Sequence, residues 1–436
     1  MRTSKFFTFK NIDIFKIQLL NWAQQYKKIV WLDSNNPNEN KSPYNLSEFD
    51  AVLAVELKSE LQCDCEDSFE LLKKYQEKTK DYIFGYLSYD LKNDIEDLSS
   101  NNHDGLHFPD LFFFQPKKLF FIKDNQVEVK YLNTIVNDID VDIKTIENTS
   151  YTVSNELNEV KIKLRIHKDE YYQKVNKILA HIHRGDIYEV SFCQEFYAED
   201  STINPLYTYL NLNSISTPPF ATFLKLDEKF LLSASPERFL KRIDNTVISQ
   251  PIKGTIKRGA TEIEDHLLKH QLEHDQKERA ENVMIVDLVR NDLSKTAIKS
   301  SVNVTELCKV YTFKQVHQLI STVISEVDAT TNSVDIIKSL FPMGSMTGAP
   351  KISAMKIIEA LEETKRGLYS GAVGYFSPTG DFDFNVVIRS VLYNEQDKYI
   401  SYSVGGAITA KSIPELEYEE CLLKAKAMRE VLLNTN

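Results

Sequence analysis

Leu368-Tyr-Ser-Gly-Ala-Val-Gly-Tyr-Phe376, Phe382-Asp-Phe-Asn-Val-Val-Ile-Arg-Ser-Val-Leu-Tyr393 and Tyr399-Ile-Ser-Tyr-Ser-Val-Gly-Gly-Ala407 are three successive runs of β-branched and aromatic residues, and a helical pattern over Glu415–Leu433 closes the chain. Such residues suit a pleated, half-buried surface, and the turn residues between the runs mark them as strands. Further back, Phe230–Ala234 and Thr246–Ile256 also read as strands. Asp169–Arg184 and Ile263–Asp292 instead repeat apolar positions at helical spacing. Strands and helices mix without strict βαβ alternation, so the expected fold class is α+β rather than a doubly wound sheet.

The N-terminal third has a different texture. Ile29–Leu32, Ala51–Val55 and Leu111–Phe114 are short strand-like runs between polar loops such as Ser34–Asn40 and Ser99–Gly105. The polar segment Ile139–Glu159 reads as a connector, dividing the chain into regions 1–150 and 151–436. Ten of the 13 glycines lie after residue 250. Glycine lets backbone approach a ligand closely, so the site is expected in that half.

The 436 residues are 42% hydrophobic and 26% charged, ordinary for a soluble globular protein. A net charge of −11 makes nucleic acid and acidic membranes poor partners. A small anionic substrate would need local cations, close backbone or a bound metal. Cys63, Cys65, Cys193, Cys308 and Cys421 form no disulfide framework and read as reduced thiols. Cys63-Asp-Cys65 lacks the further Cys or His that a metal site needs. The N-terminus lacks a signal-peptide core and no apolar run is long enough to span a bilayer, so the expected location is cytoplasmic.

Several constellations could carry chemistry. Lys253, in Gln250-Pro-Ile-Lys253-Gly-Thr255, sits on a Pro/Gly-constrained turn. As a nucleophile it would need burial or nearby cations, such as Lys257 and Arg258, to lower its pKa; otherwise it is a solvated turn lysine. Glu237, in Ser235-Pro-Glu-Arg-Phe239, is either a general acid/base or half of a surface Glu–Arg turn. Glu417, Glu420 and Lys424 share one helix face, suiting Mg²⁺ and a substrate carboxylate or else an ordinary i,i+4 pair. Glu281 lies where a charged helical run turns apolar, and could reach a metal or stay solvated; Asp287 and Arg290 lie inside that run and could pair. Gly344-Ser345-Met-Thr-Gly348 precedes a helix start and could offer N–H groups to an anion. Arg389, inside an apolar strand, calls for a carboxylate partner. Together these describe one site for a small dicarboxylate.

The ordered strings Gly185-Asp-Ile-Tyr-Glu-Val190, Ser235-Pro-Glu-Arg-Phe239, Pro251-Ile-Lys-Gly-Thr255, Val286-Asp-Leu-Val-Arg-Asn-Asp292, Gly344–Lys351, Gly371-Ala-Val-Gly-Tyr375, Ile388-Arg389 and Glu417…Glu420…Lys424 resemble the chorismate-binding enzymes over residues 160–430. These include component I of anthranilate and aminodeoxychorismate synthases, and the isochorismate and salicylate synthases. The resemblance implies large antiparallel or mixed sheets packed as a sandwich flanked by helices. It also implies a catalytic domain over 151–436 and an N-terminal variable region, and leaves open whether tryptophan binds there, near Leu32–Ser34. Anthranilate synthases carry Pro-Ile-Ala-Gly-Thr where this chain has Lys253, whereas aminodeoxychorismate synthases typically carry the lysine. The latter convert chorismate and ammonia to 4-amino-4-deoxychorismate, with the lysine attacking C2 as the C4 hydroxyl leaves. By resemblance Glu237 is the acid/base. Glu281 and Glu420 hold Mg²⁺, with Glu417 as a further or water-mediated ligand. Arg389, Lys424, Tyr369, Ser345, Thr255 and the Gly405-Gly406 backbone hold the substrate. Glu189 stands near where isochorismate synthases use a lysine to activate water, and Gln318 stands where anthranilate synthases carry a histidine. No glutaminase signature surrounds Cys193, so a separate glutaminase subunit is the expected ammonia source.

Overall fold

In the computed structural model, residues 1–35, 49–64, 66–150, 160–314 and 316–433 are described. Successive side chains of a strand point to opposite faces, and here both faces are buried. On the Lys28–Asp33 strand, Ile29 and Trp31 join one apolar cluster and Val30 another. On Leu111–Lys123, Phe112, Phe114, Leu119 and Phe121 share that second cluster, while Phe113 and Phe120 point outward into two different ones. One apolar cluster lies between two sheets and a further one lies outside each, so the arrangement is helix, sheet, sheet, helix.

Every strand ladder among the described residues is antiparallel. One sheet runs through Arg2–Thr8, Gln126–Leu132, the later part of Leu111–Lys123, Ala51–Cys63, Lys28–Asp33, Phe220–Leu226, Lys229–Ser235, Ser390–Asn394, Tyr399–Thr409 and Glu189–Ala198. The other runs from the start of Leu111–Lys123 through Ile83–Leu87, Ala372–Phe376, Phe382–Val386, Arg238–Ile243, Thr246–Gln250 and Val316–Glu326. Ile252–Lys257 and Asn303–Thr312 complete it on Val316–Glu326. Ala51–Cys63 and Leu111–Lys123 serve both sheets, with a register shift between Leu57 and Ser59. Strands from either side of residue 150 pair directly, as Ile83–Leu87 does with Ala372–Phe376.

The helix Lys168–Arg184 and the closing helix Pro414–Leu433 cover the first sheet, and Gln276–Ser294 packs on the second. The expected helix over Ile263–Asp292 is two helices, Glu262–His274 and Gln276–Ser294. Asp275 breaks it: its backbone is extended and its side chain accepts from the N–H groups of Lys277 and Glu278. The expected Thr246–Ile256 strand stops at Pro251, which has no N–H to give a ladder. The expected Phe382–Tyr393 strand is broken over Val387–Arg389, where the chain passes from the second sheet to the first.

Asp287 and Arg290 do pair, at 2.9 Å, but on an exposed face, because the helix turns only its other side to the core. The expected connector begins as a helix, Ile139–Glu147, burying Ile139, Ile143 and Ile146; residues 151–159 lie outside the described residues, as do Cys65 and residues 36–40. Cys63, Cys193, Cys308 and Cys421 are free thiols. No helix is long and apolar enough to cross a membrane, among the described residues.

Losing the Asp275 caps is expected to cost about 1 kcal/mol in Asp275→Ala, read as a lower urea midpoint. Asp275→Asn, which keeps an acceptor, is expected to lose little.

Candidate active site

Beside the Gly405-Gly406 strand lies a cavity of about 630 Å³, and all twelve residues singled out from sequence line it: Glu237, Lys253, Thr255, Glu281, Ser345, Tyr369, Arg389, Gly405, Gly406, Glu417, Glu420 and Lys424. Lys253, Thr255, Gly405 and Gly406 lie on strands, Glu281, Glu417, Glu420 and Lys424 on two helices, Ser345 on the turn at Gly344–Met346, and Glu237, Tyr369 and Arg389 on connections between elements. Gly406 leaves the strand face open to these side chains: a Cβ there would lie 3.3 Å from the Glu417 carboxylate and within 4 Å of Glu420 and Lys424.

Lys253 precedes Gly254, whose φ of +94° puts it in the left-handed region where other residues are strained. The lysine Nζ donates to Glu189 Oε1 at 2.9 Å. Lys253 is 14% exposed and Glu189 only 2%. Burial acts to lower the lysine pKa, but Glu189, Glu281 and Glu237 outweigh it and the pKa is raised. The expected lowering by Lys257 and Arg258 is therefore not met. Arg258 instead pairs with Asp265 at 2.8 Å, and carboxylates rather than cations surround Lys253.

Glu237 is 5% exposed. Burial pushes its carboxyl up to about 7, against hydrogen bonds from Ser345 and the Ile252 backbone and the charge of Lys253. It is not a surface turn residue. Its neighbour Arg238 is also buried and pairs with Asp383 at 2.9 Å.

Arg389 is partly buried at the sheet crossover, with φ 52°. A non-glycine residue in that region carries about 1 kcal/mol of strain. The expected carboxylate partner is missing: the guanidinium forms no ion pair among the described residues. Its hydrogen bond is a long one, 3.5 Å to the Lys424 carbonyl. Burial pushes its pKa down, with Tyr369 and Glu420 acting at longer range. A partly buried cation of this kind favours an anionic ligand. Lys424 is more committed, donating to the Gly405 carbonyl at 2.9 Å and lying 2.5 Å from Glu420.

Carboxylates gather on the facing helices. Burial pushes Glu281 up to about 7 and also raises Glu278 and Glu417, whereas Lys424 outweighs burial at Glu420 and lowers it. Hard oxygen donors of this kind suit Mg²⁺. Among the described residues no three acidic, His or Cys side chains form a ready cage, so a cation here would take part of its shell from ligand and water.

Sequence reasoning missed Lys277, which lies 3.8 Å from Glu281; its i,i+4 spacing was the available signal. It also missed Glu189 as the partner of Lys253, a contact that nothing local in sequence reveals. Gln318 lines the cavity opposite Thr255, and its Oε1 is buried with no donor among the described residues. His317, next along the strand, points the other way and bonds Asp265 and Thr312. Near Leu32–Ser34 the described residues enclose a small pocket of about 40 Å³.

The fold and this cavity define a chorismate-binding enzyme. The chain belongs to that family, whose model matches residues 27–430. It is 44% identical over 274 residues to aminodeoxychorismate synthase of Streptomyces griseus, covering 62% of this chain but only 37% of that relative's length. It is 33% identical over 361 residues to aminodeoxychorismate synthase component 1 of Bacillus subtilis strain 168, covering 80% of this chain and 76% of the relative. The solved anthranilate synthase component I from Streptococcus pneumoniae TIGR4 superimposes with a TM-score of 0.76 at 26% identity, covering 89% and 93% of the two chains.

Between the ordinary glutamate value of 4.5 and about 7, the folded state keeps the Glu237 proton that the unfolded state has lost. Stability from this group therefore falls as pH rises through that window, and Glu281 acts with the same sign. Relative to the native protein, Glu237→Gln is expected to gain up to about 3 kcal/mol in stability between pH 5 and 8, measured by denaturant unfolding at both pH values.

Proposed function

We propose that this protein is an aminodeoxychorismate synthase component I, forming 4-amino-4-deoxychorismate from chorismate and ammonia for para-aminobenzoate and folate synthesis. One observation carries the reading: Lys253 lies on the wall of a cavity shared with buried Glu237 and with Arg389, a cation that forms no ion pair among the described residues. Relatives of both activities are similar to the chain, and the lysine in Pro-Ile-Lys-Gly-Thr favours amination at C4 over the anthranilate reaction. Gln318 at the histidine position also speaks against pyruvate elimination.

Arg389 and Lys424 hold substrate carboxylates, with Tyr369, Ser345, Thr255 and the Gly405-Gly406 backbone shaping the remainder of the pocket. Lys253 adds to C2 while the C4 hydroxyl departs as water with a proton from Glu237. A carboxyl titrating near 7 is suited to this donation at neutral pH. Ammonia then bonds to C4 and the C2–N bond breaks, which frees the lysine; the proton shed by the new amine returns to Glu237. Glu281 and Glu420, with Glu417 further out, would hold Mg²⁺, which neutralises charge on a substrate carboxylate. Cys193 is buried, and burial pushes its thiol up, so it does not suit glutamine hydrolysis. A separate glutaminase is the proposed ammonia source, and the cytoplasm the proposed location.

With chorismate, Mg²⁺ and ammonium, mass spectrometry is expected to find 4-amino-4-deoxychorismate. Anthranilate and pyruvate as the products would sink the assignment. Lys253→Ala is expected to remove at least about 1,000-fold of turnover if the covalent route operates. Arg389→Ala is expected to raise the KM for chorismate about 10- to 100-fold, as a lost charge-assisted hydrogen bond would.

A further inference from the structure

Lys253 faces a requirement that the reading above leaves open: its ammonium must lose a proton before nitrogen can bond to carbon. Lys257, the nearest cation in sequence, does not stop the lysine pKa from being raised. Glu189, Glu281 and Glu237 act on Lys253 through their charge, and Lys253 acts in turn on Glu278 and Glu420. Glu189 is the one that hydrogen-bonds to its Nζ, at 2.9 Å.

The surroundings of Glu189 give it a distinct character. It opens the Glu189–Ala198 strand, paired with Thr409 on one side and Ala349 on the other, and is 2% exposed. Its Oε1 accepts from Lys253, while its Oε2 is buried with no hydrogen-bond partner among the described residues. If the lysine lost its proton to solvent, Glu189 would remain as an isolated buried anion, a costly state. Moving the same proton to Glu189 neutralises both groups together.

Resting on the reading of function above, we propose that Glu189 is the proton acceptor for Lys253, taking the Nζ proton across their hydrogen bond as the lysine attacks. The step balances. The proton goes to a Glu189 oxygen, the freed Nζ lone pair forms the bond to C2, and the C4–O electrons leave with the hydroxyl and the Glu237 proton as water. When ammonia displaces the lysine, the C2–N electrons return to Nζ and Glu189 gives its proton back. Glu189 thereby restores the resting ion pair at each turnover.

Glu189→Gln tests this in two measurements. The first needs no chorismate: labelling of Lys253 by acetic anhydride across pH, located by peptide mass spectrometry. Loss of the paired carboxylate is expected to shift the Lys253 titration to lower pH, and an unshifted titration overturns the pairing itself. The second is ammonia-dependent formation of 4-amino-4-deoxychorismate. There kcat is expected to fall about 100-fold or more, with KM for chorismate little changed and the residual rate climbing with pH as hydroxide replaces the acceptor. Glu189→Asp, which keeps a carboxylate one methylene shorter, is expected to recover part of the rate and the native pH profile. A Glu189→Gln enzyme that turns over as fast as the native one, or faster, overturns the proposal, because Glu189 would then only keep the lysine charged. If the native protein forms no 4-amino-4-deoxychorismate, the functional reading falls and this step with it, while the labelling still decides the pair.

Discussion

The chain leaves one sheet for the other within Val387–Arg389, and the arrangement of the cavity depends on that crossing. Phe382–Val386 belongs to the second sheet and Ser390–Asn394 to the first. A strand can change sheets over three residues only by leaving extended geometry, and the left-handed φ of Arg389 is where it does so. The same turn places a guanidinium at the cavity, where it forms no ion pair among the described residues. The strain and the placement of that charge are thus two sides of one local feature.

The cavity is a balance of charges. An acidic protein has assembled Lys253, Lys277, Arg389 and Lys424 in one pocket, then bound three of them to partners of its own. Lys253 is held by Glu189, Lys424 by Gly405 and Glu420, and Lys277 stands among the helix carboxylates. Arg389 alone among these four forms no ion pair with the described residues. The carboxyls of Glu237 and Glu281 rise to about 7, so their protonation is undecided at neutral pH. Groups poised in this way can exchange protons with a ligand at little cost.

Much of this was legible locally. Runs of β-branched and aromatic residues between turn residues marked the strands, and the closing helix was read to within a residue of its observed start. The long helix was misread because its pattern continues past Asp275, although Asp275-Gln-Lys-Glu278 is a start signal in its own right. Pro251 was a visible breaker within Thr246–Ile256. No such signal lies in Val387–Arg389, where β-branched residues run up to the break and only the competition between two sheets decides it. The lysine pKa was misjudged for a related reason. Lys257 and Arg258 are adjacent in sequence, yet Arg258 turns to Asp265, while Glu189, 64 positions away, supplies the contact.

The sequence by itself determined the α+β class, the family and the identities of the twelve cavity residues, because each motif carries its chemistry in side chains a few positions apart. Only the tertiary structure decided which of those charges are paired. Whether a lysine is held as an ammonium or an arginine lacks a carboxylate depends on atoms a few ångströms apart contributed by distant strands and helices. Burial then sets how strongly each contact counts, and burial is a property of the packed layers rather than of any one segment.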